Sequence, residues 1–155
     1  MKKILFTLVL VLPFIFTGCS SDDDDDLDPV LVEGTWGLVH SEGFDYEDPT
    51  DPLDWDYDCN PLNPSSYDDE KFDIINTEGN KYYMENYYYS TYSKKWVKDD
   101  SYSVIIKGNT ITPIIDDEDI DVIGIKILNL TSTSLTIEAK MGKIYYNKSI
   151  YKRLQ

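Results

Sequence analysis

Apolar residues along most of this chain recur at every second position, and turn dipeptides mark the places where that alternation stops. Phe72 and Ile74 alternate before Gly79-Asn80, and Tyr82, Met84 and Tyr88 share one face after it. Tyr102, Val104 and Ile106 run into Gly108-Asn109, which turns the chain toward Ile111 and Ile115. Leu135, Ile137, Ala139 and Met141 alternate with Thr136, Glu138 and Lys140, and Gly142-Lys143 leads into a last strand from Ile144 to Leu154. A further strand opens the domain, from Gly34 to Ser41. Between Ile120 and Leu130 the apolar phase slips from Ile123, Ile125 and Ile127 to Leu128 and Leu130, which predicts a bulge or a strand buried on both faces. Pro113 has no N–H to give a ladder and belongs at an edge or a bulge. Helical periodicity is confined to one turn around Pro29 to Glu33, with Asp28 as its N-cap and Pro29 at the first helical position.

These elements amount to about eight strands in sequential order with tight links, an antiparallel meander. Closing such a sheet removes its open edges. The expected fold is all-β: a small up-and-down antiparallel barrel. Eight strands enclose either a side-chain core or one small ligand.

The first residues follow a different pattern. Lys2-Lys3 precede an apolar stretch from Ile4 to Phe16, and Gly18 precedes Cys19. The stretch is shorter than the roughly 20 residues that span a bilayer, so residues 1–18 read as a removable signal. Phe16-Thr17-Gly18-Cys19 resembles the lipobox of bacterial lipoproteins, with Phe16 where Leu is usual. That resemblance implies cleavage before Cys19 and acylation of its thiol, anchoring the chain to a membrane. Ser20, Ser21, Asp22, Asp23, Asp24, Asp25 and Asp26 are similar to the Ser-plus-acidic export signal of Bacteroidota lipoproteins, which implies lipid anchoring at the outer membrane, facing the cell exterior. The same run reads physically as a disordered, solvated tether over residues 19–28, because like charges repel. The folded domain is then residues 29–155.

Gly34-Thr35-Trp36 opens the first strand after a short turn, as the Gly-x-Trp motif does in lipocalins. Together with Gly108-Asn109, the Thr131 to Ile137 strand and the terminal Tyr151 to Arg153, it resembles the lipocalin-like domains of Bacteroidota lipoproteins over about residues 30–154. The resemblance implies a barrel carrying a small apolar ligand, with Arg153 packed over Trp36 at the closed end. Arg153 is the only arginine in the chain.

Charge narrows the partners. The formal net charge is −15, and it becomes more negative once Lys2 and Lys3 are removed. Nucleic acid is excluded as a partner, and a monomer is expected. Residues 42–70 form an acidic insert with eleven acids and four prolines. Within it, Asp54, Asp56 and Asp58 alternate with Trp55 and Tyr57, placing carboxylates on one side of an extended segment and aromatics on the other. Alternate carboxylates are candidate Ca²⁺ ligands, since that ion takes six to eight oxygens, but the spacing is not that of an EF-hand. Trp55 also suits stacking on a surface glycan or partner protein, and a solvated flexible loop is the simplest reading. The acids at 116–119 and 121 read as a polar hairpin loop. Candidate ligand or partner contacts are Trp55, Tyr57, Tyr82, Tyr88, Trp96 and Tyr102, while Tyr82, Tyr88, Trp96, Tyr102 and Tyr146 are also expected to fill much of the interior as packing residues.

Catalysis has little to work with. His40 is the sole histidine, which excludes multi-histidine zinc sites, and it continues the Trp36 and Leu38 face as a barrel-packing residue. No Gly-x-Ser-x-Gly elbow is present. With Cys19 acylated, Cys59 is left without an intrachain disulfide partner. The expectation is a non-enzymatic binding protein without a cofactor, acting through its barrel or through residues 42–70.

Overall fold

The computed structural model describes residues 29–114 and 124–154. The expectations placed on Cys19, on Ser20 through Asp26 and on the acids of 116–121 lie outside those residues.

One helical turn, α1 (Pro29–Val32), leads into nine strands: β1 (Gly34–Asp45), β2 (Leu53–Asp58), β3 (Glu70–Glu78), β4 (Lys81–Ser90), β5 (Lys95–Lys107), β6 (Thr110–Ile114), β7 (Gly124–Leu130), β8 (Ser134–Met141) and β9 (Tyr145–Leu154). From β3 to β9 each strand pairs with the next, and β9 returns to pair with β1 between Thr35 and Asp45. All pairings are antiparallel, so β1 and β3 through β9 close an eight-stranded barrel. Gly79, Gly108 and Gly142 each adopt positive φ in the tight links after β3, β5 and β8, the conformation that lets a short hairpin follow the strand twist.

The insert departs from expectation. Strand β1 runs on to Asp45, and β2 pairs with its upper half from His40↔Asp58 to Asp45↔Leu53. Lower down, the same edge of β1 is taken by β3, from Gly34↔Ile74 to Gly37↔Lys71. Part of residues 42–70 is therefore barrel wall rather than a solvated loop. The rest is tied down by Asp69, only 3% exposed, whose carboxylate accepts the backbone N–H groups of Asn60, Ser65 and Ser66 at 3.2, 2.7 and 2.8 Å. Pro61 packs onto the outside of β1 so closely that a Cβ on Gly37 would sit 2.4 Å from it.

Irregular pairing shapes the barrel. The slip expected in β7 is a register shift between Ile127 and Asn129. Among the described residues three further shifts fall between Leu38 and His40 on β1, between Asn76 and Glu78 on β3, and between Glu85 and Tyr87 on β4, where Asp99 and Asp100 of β5 face the single residue Asn86. Among the described residues β6 and β7 pair at Thr110 and Ile111, and Pro113 lies on β6 past these pairs.

Inward side chains at one end make a dry core. Val32, Trp36, Ile74, Tyr82, Val104, Ile106, Ile111, Ile127 and Leu135 are all buried there. The Trp36 indole is fully buried and donates to the Val32 carbonyl at 2.9 Å, which ties α1 across the base. The Arg153 guanidinium lies 4.2 Å from the centroid of the Trp36 ring. It also donates to the carbonyls of Glu33, Leu31 and Ser132. Gly34, at φ +128°, is where this arrangement demands glycine, because a Cβ there would sit 2.4 Å from Arg153 Nη1.

Candidate functional site

Moving away from that base, the inward positions change from apolar to polar on one strand after another. On β3 the order is Ile74, Phe72, Glu70, and on β4 it is Tyr82, Met84, Asn86, Tyr88. On β5 Ile106 and Val104 give way to Tyr102 and Asp99, and on β9 Tyr151 is followed toward the mouth by Ser149 and Asn147. A cavity of about 260 Å³ occupies the upper half of the barrel. Phe72, Met84, Ile111, Ile125, Ile137 and Ala139 form its apolar floor and walls, while Glu70, Asn86, Asp99 and Asn147 ring it above. Benzene fills a cavity of about 150 Å³, so this cup has room for a compact molecule somewhat larger than one ring.

One of the irregular pairings shapes the cup's lining, and another orients the residues beside it. Tyr87, opposite Lys98, faces outward, and Tyr102 faces in, so uninterrupted alternation would leave Asp99 outside. The extra residue on β5 resets the phase and turns Asp99 toward the cavity. On β1 the shift after Leu38 does the converse for His40, which faces outward against Asp58, with Nδ1 to Oδ1 at 2.9 Å, instead of continuing the Trp36 face as expected. The same shift turns Ser41 in, where it is 3% exposed.

Ser41 links the insert to the cup. Trp55 Nε1 donates to Ser41 Oγ at 3.1 Å, and Ser41 Oγ donates to Asn147 Oδ1 at 3.1 Å. Ser149 Oγ donates to the same Asn147 oxygen. The Trp55 ring packs over Gly43, where a Cβ would stand 2.5 Å from the indole, and lies 6.2 Å from the Tyr145 ring.

Glu70 is the electrostatic centre of this region. Solvent reaches it because the cup is concave and open, yet protein surrounds it. That desolvation, followed by the charges of Asp99 and Asp68, raises its pKa above the usual carboxylate value. Tyr57, Tyr145 and Tyr151 all have raised pKa values, first through burial and then in part through the Glu70 charge. Among the described residues Lys71 is the single basic residue bordering the cavity, and its ammonium is turned to the outer face, 4.4 Å from the Tyr87 ring centroid and 5.7 Å from that of Trp96. The five ion pairs among the described residues involve neither Glu70 nor Asp99.

The other sequence candidates scatter. Tyr88 and Tyr102 line the cup, and Tyr82 is buried below it in the core. Trp55 and Tyr57 stand on the inward face of β2. Trp96 and Tyr146 do not fill the interior; they lie outside, against Tyr89 and Phe44 respectively. Asp54, Asp56 and Asp58 form an exposed row on β2. Alternate residues of a strand are about 6.7 Å apart, too far to gather three carboxylates on one Ca²⁺. Asp54 instead accepts from the Tyr46 hydroxyl at 2.7 Å, and Asp58 holds His40. Among the described residues no group of three or more His, Cys, Asp or Glu is placed to hold a metal ion. Cys59 donates to the Asp68 carbonyl at 3.3 Å, and burial together with Asp69, Asp68 and Glu70 pushes its thiol up to about 12.

No protein-family model and no curated protein sequence matches this chain. Among solved structures it is similar to the siderocalin Ex-FABP, described as functioning through dual ligand specificities, at 12% identity and a TM-score of 0.48 over 79% of this chain and 74% of that one. It is also similar to the amine-binding protein of Rhodnius prolixus in its tryptamine complex, at 14% identity and a TM-score of 0.46 over 79% of this chain and 63% of that one. This chain thus spans less than two thirds of the amine-binding protein's length. At this distance the likeness transfers neither ligand nor role.

Proposed function

We propose that this protein is a lipid-anchored, non-catalytic carrier that holds one small, largely apolar molecule in the cup of its barrel. In this reading residues 1–18 are removed, Cys19 carries the acyl chains, and Ser20 through Asp26 form the acidic tether that presents the domain on the outer face of the outer membrane. Several acyl chains, at about 0.8 kcal/mol per buried methylene, hold far better than one.

The observation that supports binding is the cup itself. Strands β3, β4, β5, β8 and β9 all carry apolar side chains inward around a cavity of about 260 Å³ instead of closing on one another. A non-catalytic role is supported by the position of His40 on the outer face, apart from the cup's carboxylates. Recognition of a glycan or protein through residues 42–70 is the weaker reading, because the ring of Trp55 is already committed to Ser41, Gly43 and Tyr145.

Native mass spectrometry of the full chain, extracted gently from its own membrane, tests this reading. The expected result is one non-covalent small molecule per chain, released on denaturation and absent from a folded Ala139→Phe variant whose new ring fills the cup. A folded chain that never carries extra mass beyond its acyl groups would overturn it. Cys19→Ala is expected to move the protein from the membrane to the soluble fraction without emptying the cup.

A further inference from the structure

The ring of polar groups above the apolar floor is not neutral, and this bears on what kind of molecule fits. Its charged members are the carboxylates of Glu70 and Asp99. Both line the same cavity, and the charges of Asp99 and Asp68 act on Glu70 there. Among the described residues the one ammonium of the cavity border, on Lys71, is drawn away to the outer rings of Tyr87 and Trp96. Asp99 reaches the cup only because β5 carries an extra residue opposite Asn86. Around these acids stand the rings of Tyr88 and Tyr102, with Tyr151 and Phe72 meeting edge to face at 4.7 Å just below.

Two like charges without a counter-charge in a partly desolvated cup are unfavourable to one another, and a bound cation removes that cost. Aromatic faces add attraction for an ammonium, more so when water is excluded. A carboxylate or phosphate ligand would meet repulsion at the same place. We infer that the cup selects an organic cation: a molecule with a compact apolar body seated on Phe72, Met84, Ile111 and Ile137, and an ammonium group held at Glu70 and Asp99. This rests on the reading that the cup holds a small molecule. It adds the sign of the charge at the mouth. The net charge of −15 would also concentrate cations near the protein before they enter.

The probes are benzyltrimethylammonium and neopentylbenzene, which share one heavy-atom skeleton and differ in a quaternary nitrogen or carbon. Their dissociation constants for the full chain in detergent, measured by ligand-observed NMR, give a preference ratio. The expected result is at least tenfold tighter binding of the ammonium. In a Glu70→Gln/Asp99→Asn variant that still melts cooperatively, that preference should fall at least tenfold while neopentylbenzene binding is retained. Equal binding of both probes by the unsubstituted protein would overturn the cation inference and leave the carrier reading intact. Binding of neither would overturn both. Should the variant fail to fold, the ratio measured on the unsubstituted protein still decides.

Discussion

Replacing Arg153 with alanine tests the closed end of the barrel most directly. The substitution removes a guanidinium that covers the face of fully buried Trp36 and holds the carbonyls of Leu31, Glu33 and Ser132. A desolvated cation–π contact contributes about 2 kcal/mol. Each hydrogen bond from a charged donor contributes about 1.5–3 kcal/mol. These terms do not add, since water can reach carbonyls at the rim once the side chain is gone. The expected loss is therefore about 3–4 kcal/mol, at the upper end of what single substitutions cause. For a domain between the 100- and 150-residue classes this lowers Tm by about 10–15 °C. Thermal unfolding of the Cys19→Ala chain followed by circular dichroism reads it out. Arg153→Lys is expected to recover less than half, because one ammonium cannot span three carbonyls in different directions. A fall of less than about 3 °C for Arg153→Ala would show that the base is held by apolar packing alone. Gly34→Ala supplies an independent arm. Its methyl meets Arg153 Nη1 and its φ of +128° disfavours any side chain, so a loss of about 1–3 kcal/mol is expected even with Arg153 in place.

Other consequences are smaller but distinct. Glu70 has a raised pKa, so the folded state disfavours its charge; the penalty is absent below the ordinary value of 4.5 and complete above the raised one. Glu70→Gln should consequently raise Tm at pH 7 and leave it unchanged near pH 3, and a lowered Tm at neutral pH would contradict this. With its pKa pushed up to about 12, Cys59 in the Cys19→Ala chain should react with a thiol-directed disulfide reagent at pH 8 about tenfold or more slower than a free thiol, until denaturant exposes it. Trp55→Ala should accelerate amide exchange across Leu53–Asp58 while leaving β3 to β9 protected, because the indole's bond to Ser41 and its cover of Gly43 fasten β2 to the wall. Equal protection in both proteins would mean that the ladder between β1 and β2 suffices alone.

Much of the barrel was legible because apolar and polar residues alternate cleanly where one face is dry. Leu135, Ile137 and Ala139 all line the interior as their spacing predicted, and the phase slip after Ile127 marks a real shift of register. Tyr and Trp were ambiguous. Each has an apolar body and a polar tip, so a strand such as β4, with five tyrosines, satisfies either face, and Trp96 and Tyr146 proved to be outside. The cup's carboxylates were hidden for a different reason. Glu70 closes an acidic run in which no single acid stands out, and Asp99-Asp100 looks like a solvated turn. The extra residue left no mark either: the step from Trp96 to Tyr102 preserves parity, so the pattern alone puts both rings on one face, and only the fold shows them on opposite faces. The insert's strand was half visible in its alternation, but its partner was not, because a long-range pairing with β1 leaves no local trace.

Strand β2 pairs with β1 on one side only, and so presents a bare ladder edge among the described residues. Such an edge invites a second chain to add its own strand. Here it carries Asp54, Asp56 and Asp58 at successive outward positions, and an antiparallel copy would bring its own row of aspartates against them. Where copies are crowded together, the aspartate row makes each of them a poor template for the next, so high concentration need not become polymer.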